Sequence, residues 1–369
     1  MMVHLKKIKL SAVLVSLLFG VGNFQVTAQD LESKEVNPLK ISGFLEAYYS
    51  YDFGNPPAGE KPSFIYSYDR HNEFNINLGM IAVQYSKERV RSNFALMAGT
   101  YTNANLAAEP GVLKNIFEAN VGYKLSAEKN LWIDMGVLPS HIGFESAIGS
   151  ANWTLTRSML ADNSPYFESG LRLSYSSPSQ KWYLSALALN GWQRIQRLEG
   201  NSLMSFGTQA TFTSGKFLFN SSTFIGTDTP DSDRRMRYFH NFYSQISLTS
   251  RWSLILGLDM GLQQSQPSAS DYDSWISPVI LARVQVSDKI NLAGRLEYYS
   301  DPNEVIVVTE NSDGFRTFSS SLNLDWKLAQ NVLWRTEYRY FSGEENYFPT
   351  RSQNSDEMSH LTTSLSVSF

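Results

Sequence analysis

From about Lys40 to Phe369, tight and long connectors alternate without a break, and each pair of connectors flanks a run of about ten residues. The tight ones are "SKER" at 86–89, "SAEKN" at 126–130, "SSPSQ" at 176–180, "TSGK" at 213–216, "TSR" at 249–251, "SDK" at 287–289 and "AQN" at 329–331. Between them fall much longer ones, such as "DFGNPPAGEKPSFIYSYDRHN", the segment from Pro139 to Phe167 and "SGEENYFPTRSQNSDE". Strict alternation means that every second hairpin is made on a side where turns are kept short, as in a barrel that crosses a membrane. A soluble sandwich or propeller has no reason to keep that rule, and no blade-length repeat is present.

The runs themselves have period two, the spacing of a strand with two different faces. Val121, Tyr123 and Leu125 alternate with Asn120, Gly122 and Lys124. Leu322, Leu324, Trp326 and Leu328 oppose Asn323, Asp325 and Lys327. The stretches around Phe74–Tyr85, Lys216–Ile225 and Arg235–Leu248 alternate less cleanly. Counting runs predicts an all-β fold, an antiparallel up-and-down transmembrane barrel of about sixteen strands, with short periplasmic turns and long outer loops. Composition agrees. Aromatics are 13% and charged residues only 18%, yet mean hydropathy is −0.26, because two unlike faces cancel. Trp132, Trp182 and Trp252 lie near tight turns. Tyr48, Tyr49, Tyr51, Trp275, Tyr298, Tyr299, Tyr338, Tyr340 and Phe341 lie near long loops. Two levels of amphipathic rings match the girdles expected at two membrane interfaces.

The N-terminus reads as an export signal: Lys6, Lys7 and Lys9, then an apolar stretch too short to span a bilayer, then small residues at Val26 and Ala28. The expected organisation is a signal peptide at 1–28, a short periplasmic segment at 29–39 and a barrel at 40–369. Loss of three Lys and no acid takes the formal charge from −4 to −7, which leaves no footprint for nucleic acid. Beyond position 28 no run approaches the roughly 20 apolar residues of a membrane helix. With no cysteine, disulfide and thiolate-metal sites are excluded. An exported chain without a helical anchor enters lipid only as a closed barrel.

If the apolar parity faces lipid, the other parity lines the interior. It carries Glu46, Glu118, Lys124, Asp134, Arg172, Asp259, Arg283, Arg295, Glu297, Asp325, Arg335, Glu337 and Arg339. Charge on the lipid face costs about 2–4 kcal/mol per Arg or Lys at the midplane, so these side chains belong inside, and a barrel this wide ordinarily holds an aqueous channel. "RLEYY" (Arg295, Glu297) and "RTEYRY" (Arg335, Glu337, Arg339) repeat an R-x-E-Y pattern on two strands with one between them. They form either a screen for charged solutes or a network of cross-strand ion pairs. The longest connector, Pro139–Phe167, is expected either to fold inward and constrict the interior or to form a lid or surface loop, with "TLTRSMLA" as a short helix and Glu145, Arg157 and Asp162 as its charged groups. No H-E-x-x-H, G-x-S-x-G or P-loop spacing occurs. No enzyme activity, cofactor or metal is expected.

"ISGFLEAYYSYD", "RHNEFNINLGMIAVQY", "FEANVGYKLS", "GVLPSHIGFES", "YFESGLRLSY", "LNGWQRI", "RLEYYSD" and "LWRTEYRY", in that order from Ile41 onward, resemble the OmpL-like β-barrel porin family. The resemblance implies a barrel of the cell outer membrane that passes ions and small hydrophilic solutes by passive diffusion. It names no solute and supplies no ligand residues. The alternative is a non-conducting barrel serving as a scaffold in an envelope complex. The expected partners are outer-membrane lipid, small hydrophilic solutes and the barrel-assembly machinery. A homotrimer is usual at this strand count, though no interface signature is visible. "SHLTTSLSVSF" reads as the last strand, pairing with "SGFLEAYY", with Phe369 as an aromatic assembly signal.

Overall fold

The computed structural model describes residues 37–309 and 313–369. The expected signal peptide and most of the periplasmic segment expected to follow it lie outside the described residues. Fifteen barrel strands come first: β1 (Leu39–Asp52), β2 (Phe74–Lys87), β3 (Val90–Ala98), β4 (Ile116–Lys124), β5 (Asn130–Pro139), β6 (Phe167–Ser176), β7 (Trp182–Leu189), β8 (Ser205–Ser214), β9 (Phe217–Gly226), β10 (Arg237–Ser247), β11 (Trp252–Gln264), β12 (Tyr272–Gln285), β13 (Ile290–Asp301), β14 (Phe315–Ala329) and β15 (Val332–Gly343). The last loop carries a two-residue ladder, β16 (Phe348–Pro349) with β17 (Asn354–Ser355), and β18 (Glu357–Ser368) completes the wall. Sixteen of these strands close one barrel in which each pairs with its neighbours in sequence, and β18 returns to β1.

The closing seam runs from Phe44 opposite Ser368 to Asp52 opposite His360. Phe369 extends it: its carbonyl accepts the Gly43 amide at 2.8 Å and its amide donates back to the Gly43 carbonyl at 3.0 Å. The seam leaves no open edge among the wall strands, the condition for a sheet in lipid. The Phe369 ring lies over Gly43, where a β-carbon would collide with it.

The outward face is the apolar parity. Leu256, Ile276, Ile280, Leu296, Leu322, Leu324, Trp326, Leu361 and Leu365 all present exposed side chains there. The inward face differs between the two halves. Near the tight turns it is mixed, with Phe44, Ile255, Leu281 and Ala293 buried among polar side chains. Near the long loops it is apolar: Leu187, Leu189, Phe224, Phe239, Trp275, Tyr299, Phe315 and Phe341 form one buried cluster with Phe64 and Ile65 of the first loop, Val307 of the seventh and Tyr347 and Phe348 of the eighth. The rings expected in the outer girdle therefore divide. Tyr49, Tyr51, Tyr298, Tyr338 and Tyr340 face outward, whereas Tyr48, Trp275, Tyr299 and Phe341 turn inward and are buried. Strand pleat explains the split, since adjacent residues point to opposite faces and folded-in loops give the inward rings an apolar partner.

Candidate functional site: a clamped loop inside the barrel

The third long loop, residues 140–166, lies inside the barrel and is tied to its wall. Strands β13 and β15 run in the same direction on either side of β14, so period two brings Arg295 and Glu297, Asn323 and Asp325, and Arg335, Glu337 and Arg339 onto one inward patch. The charges are paired among themselves. Arg295 Nε lies 3.1 Å from Glu297 Oε1 and its Nη2 lies 3.1 Å from Glu337 Oε1. Arg339 Nη2 meets Glu297 Oε1 at 2.6 Å, and Arg335 Nε meets Asp325 Oδ1 at 2.7 Å. Three cations face three acids, all at most 4% exposed. Buried ions are stable only with their remaining donors and acceptors filled, and here the loop fills most of them.

Arg335 donates to the carbonyls of Gly149 (2.7 Å) and Asn152 (3.0 Å). Arg295 donates to Thr154 Oγ1 (2.9 Å) and to the Thr156 carbonyl (2.7 Å). Arg339 donates to the Arg157 carbonyl at 2.8 Å. In return the loop amides of Leu155, Thr156 and Met159 donate to Asn323 Oδ1 (3.1 Å), Glu337 Oε2 (2.5 Å) and Glu297 Oε2 (2.6 Å). This explains why "TLTRSMLA" is not a helix throughout. Its first half spends its backbone groups on the wall, which leaves none for bonds between successive turns. Only Met159–Asp162 is helical, capped by Ser158 Oγ accepting from the Ala161 amide at 3.2 Å.

The loop's start is held elsewhere on the wall. The His141 carbonyl accepts from Ser222 Oγ at 2.7 Å, its Nε2 lies 2.8 Å from the Thr223 carbonyl, and its Nδ1 lies 2.8 Å from Glu168 Oε2. The Gly143 amide reaches Asn241 Oδ1 at 3.2 Å. Trp153, Leu160 and Ala161 pack on Ile255, Val279, Leu281 and Ala293. The loop is thus seated against β6 and β9 through β15.

The charged groups of the loop do not stand across open water from the ladder. Glu145 accepts from the Ser158 amide at 2.9 Å and from its hydroxyl. Arg157, fully buried, donates to the carbonyls of Leu155 (2.8 Å) and Ala147 (2.6 Å). Asp162 is buried with Oδ1 lacking a hydrogen-bond partner among the described residues. Burial pushes its carboxyl up to about 7, although Arg339 and Arg157 pull the other way. Burial likewise raises Glu145. From the first loop, Lys61 is buried near Asp52, Arg339, Asp69 and Glu337, and burial lowers it to about 7.

The other charges of the inward parity make no ion pair with this patch among the described residues, although Glu46 and Arg283 lie near Arg335. Glu46 accepts from Tyr68 Oη at 2.8 Å and Asn77 Nδ2 at 3.1 Å and has no exposure. Asp259 is buried and accepts from Asn241 Nδ2 at 2.5 Å. Partly exposed groups concentrate on β3–β6, where Arg91 (2.5 Å) and Arg172 (3.4 Å) share Asp134, and where Glu118 and Lys124 lie close by. Arg283 on β12 is half-buried. The ladder's five side chains, expected to meet water, are instead covered by the loop. Thr154, Thr156, Asn323, Lys61 and Arg91 take part without having been singled out by sequence. Among the described residues no three His, Asp or Glu side chains converge as metal ligands.

Residues 38–369 match the model of the family described as "Putative beta-barrel porin-2, OmpL-like". No curated protein matches the chain. Among solved structures, OmpT of Vibrio cholerae in its trimer form is 9% identical with a TM-score of 0.59, covering 90% of this chain and 99% of that one. OprB of Pseudomonas putida is 9% identical with a TM-score of 0.59, covering 90% and 94%. The outer membrane channel DcaP of Acinetobacter baumannii is 10% identical with a TM-score of 0.57, covering 90% and 97%. At such identities the likeness is one of fold.

Proposed function

We propose, from the premise that this chain belongs to the OmpL-like β-barrel porin-2 family, that its barrel is a channel of the outer membrane whose width is set by the clamped loop. Ions and small hydrophilic solutes diffuse through it without energy input. The observation that carries this reading is the loop itself: 27 residues, 140–166, held inside a sixteen-stranded wall by a charged patch. Selection by size and polarity then takes place between the loop and the partly exposed charges of β3–β6. The reading assigns no chemical step to the protein. Because OmpT has been solved as a trimer, a homotrimer is the proposed assembly. Planar-bilayer recording of the refolded protein tests the function, with discrete channel events expected. Their absence at every voltage rejects the channel and favours a second reading, a plugged barrel acting as scaffold, for which burial of the ladder speaks.

A pH dependence follows from Asp162. It is surrounded by Arg339, Arg157, Glu145 and Arg295, with Tyr66, Tyr101 and Tyr166 close by. Its carboxyl is raised to about 7 in the folded loop against about 3.9 in an open chain. The folded loop therefore favours the protonated form. Its contribution to seating the loop is complete at acid pH and is lost as pH rises through about 7. Conductance is expected to increase from about pH 4 to about pH 7 and to level off above it, and Asp162→Asn should flatten the profile. A flat profile in the parent protein excludes Asp162 as the titrating group.

A further inference from the structure

The outer half of the barrel also holds a cavity of about 340 Å³, within the size range of a small-molecule site. Leu106, Val305, Ile306, Tyr66 and Trp192 form one apolar and aromatic side of it, and much of the rest of the lining is polar, with Asn105, Asp162, Asn163 and Gln193 among it. Asp162 of the third loop lines it with Oδ1 lacking a hydrogen-bond partner among the described residues, while three other charges are answered. Arg194 Nε and Nη2 each lie 3.1 Å from an oxygen of Asp228. Glu109 accepts the amides of Ile195 and Gln196 at 2.8 and 3.1 Å.

Arg237 is different. It lines the cavity and is 7% exposed. Its Nε and Nη2 both donate to one atom, Gln263 Oε1, at 2.9 and 2.7 Å. Its guanidinium carbon sits 5.1 Å from the Trp192 ring centre and 5.8 Å from that of Trp275. Nη1 has no hydrogen-bond partner and no ion pair among the described residues. The acids that act on it are Asp228 and Asp301, and both are committed elsewhere. Asp228 holds Arg194, while Asp301 accepts the amides of Val305, Ile306 and Val307 at 2.9, 2.7 and 2.9 Å. A guanidinium stays charged in proteins and is costly to bury unpaired. Here its open nitrogen belongs to a side chain that Gln263 and two tryptophans hold in place.

We propose that this cavity binds a small organic carboxylate, whose oxygens accept from Arg237 Nη1 while its apolar body lies against Trp192 and Ile306. One open guanidinium nitrogen beside the apolar side formed by Trp192, Val305 and Ile306 suits a monoanion with a hydrophobic part. Free phosphate, which needs several strong donors, finds too few. The site deepens the porin reading, on which it rests for the solute's passage but not for its binding.

Calorimetry on the full-length barrel refolded in detergent tests it, with benzoate as probe against benzamide and inorganic phosphate. Benzoate should bind saturably, and benzamide and phosphate at least about tenfold more weakly. Arg237→Gln should weaken benzoate at least about tenfold while the barrel keeps its heat-dependent mobility in SDS. Ile306→Glu, on a loop and outside the wall, should weaken it as well and serves if Arg237→Gln does not assemble. No benzoate binding, unchanged binding in both variants, or phosphate binding as well as benzoate overturns the proposal. Benzoate binding by a protein that shows no channel events supports the site and removes the porin reading, whereas channel events without benzoate binding remove the site alone.

Discussion

Replacing Arg295, Arg335 and Arg339 together with glutamine should raise single-channel conductance several-fold. These side chains give the loop at least five bonds, to Gly149, Asn152, Thr154, Thr156 and Arg157. Without them Glu297, Glu337 and Asp325 become buried acids with no cation. Breaking one buried pair costs about 3–5 kcal/mol when the partner is left in place, and the least expensive relief is for the loop to leave and let water reach the carboxylates. The wall does not share this fate. Its strands are joined by backbone ladders around the full circle, so the variant should still resist SDS unheated and shift on boiling. Planar-bilayer recording reads the outcome. Unchanged conductance in an intact barrel would show that the loop does not set the pore's width.

Phe369→Asp should reduce the amount of assembled barrel several-fold while leaving the conductance of assembled channels as it was. The Phe369 ring covers Gly43 on the outward face, and its backbone completes the β1–β18 seam. An aromatic over a strand glycine is a recognised way to pin register, and a carboxylate there removes that cover and places charge at the membrane interface. The seam is made last along the chain and removes the barrel's two edges, so a weak seam leaves edges open to wrong pairing. Phe369 is 72% exposed on the outward parity, far in sequence and in facing from the clamped loop. Comparison of heat-shifted barrel in outer-membrane fractions with recordings of the purified remainder separates the two effects. Normal assembly with altered conductance would contradict this role for Phe369.

Much of the barrel is legible in the amino-acid order, because each of its rules is local. Turn length, period two and the placement of Leu256, Leu322 and Trp326 require nothing beyond neighbours in sequence. The same holds for the ladder: R-x-E spacing puts Arg295 with Glu297, and Arg335 with Glu337, on one side of their strands wherever those strands lie. Trp275, Tyr299 and Phe341 were less tractable. A ring near a barrel rim satisfies an apolar neighbour equally well whether that neighbour is lipid or a folded-in loop, so its chemistry does not reveal its direction. The helix expected over "TLTRSMLA" forms only from Met159 onward, for a related reason. Its propensity competes with bonds to Asn323, Glu337 and Arg295, more than 130 residues away in sequence.

By itself the sequence determined a membrane-facing barrel of about sixteen strands and the parity of its inner charges, since both arise from spacing along one chain. Only the tertiary structure decided what those charges meet. The arginines expected to face water face loop carbonyls, because closing the barrel brings residues 140–166 within reach of β13–β15, and a buried ion is more stable with its donors filled by backbone than left bare.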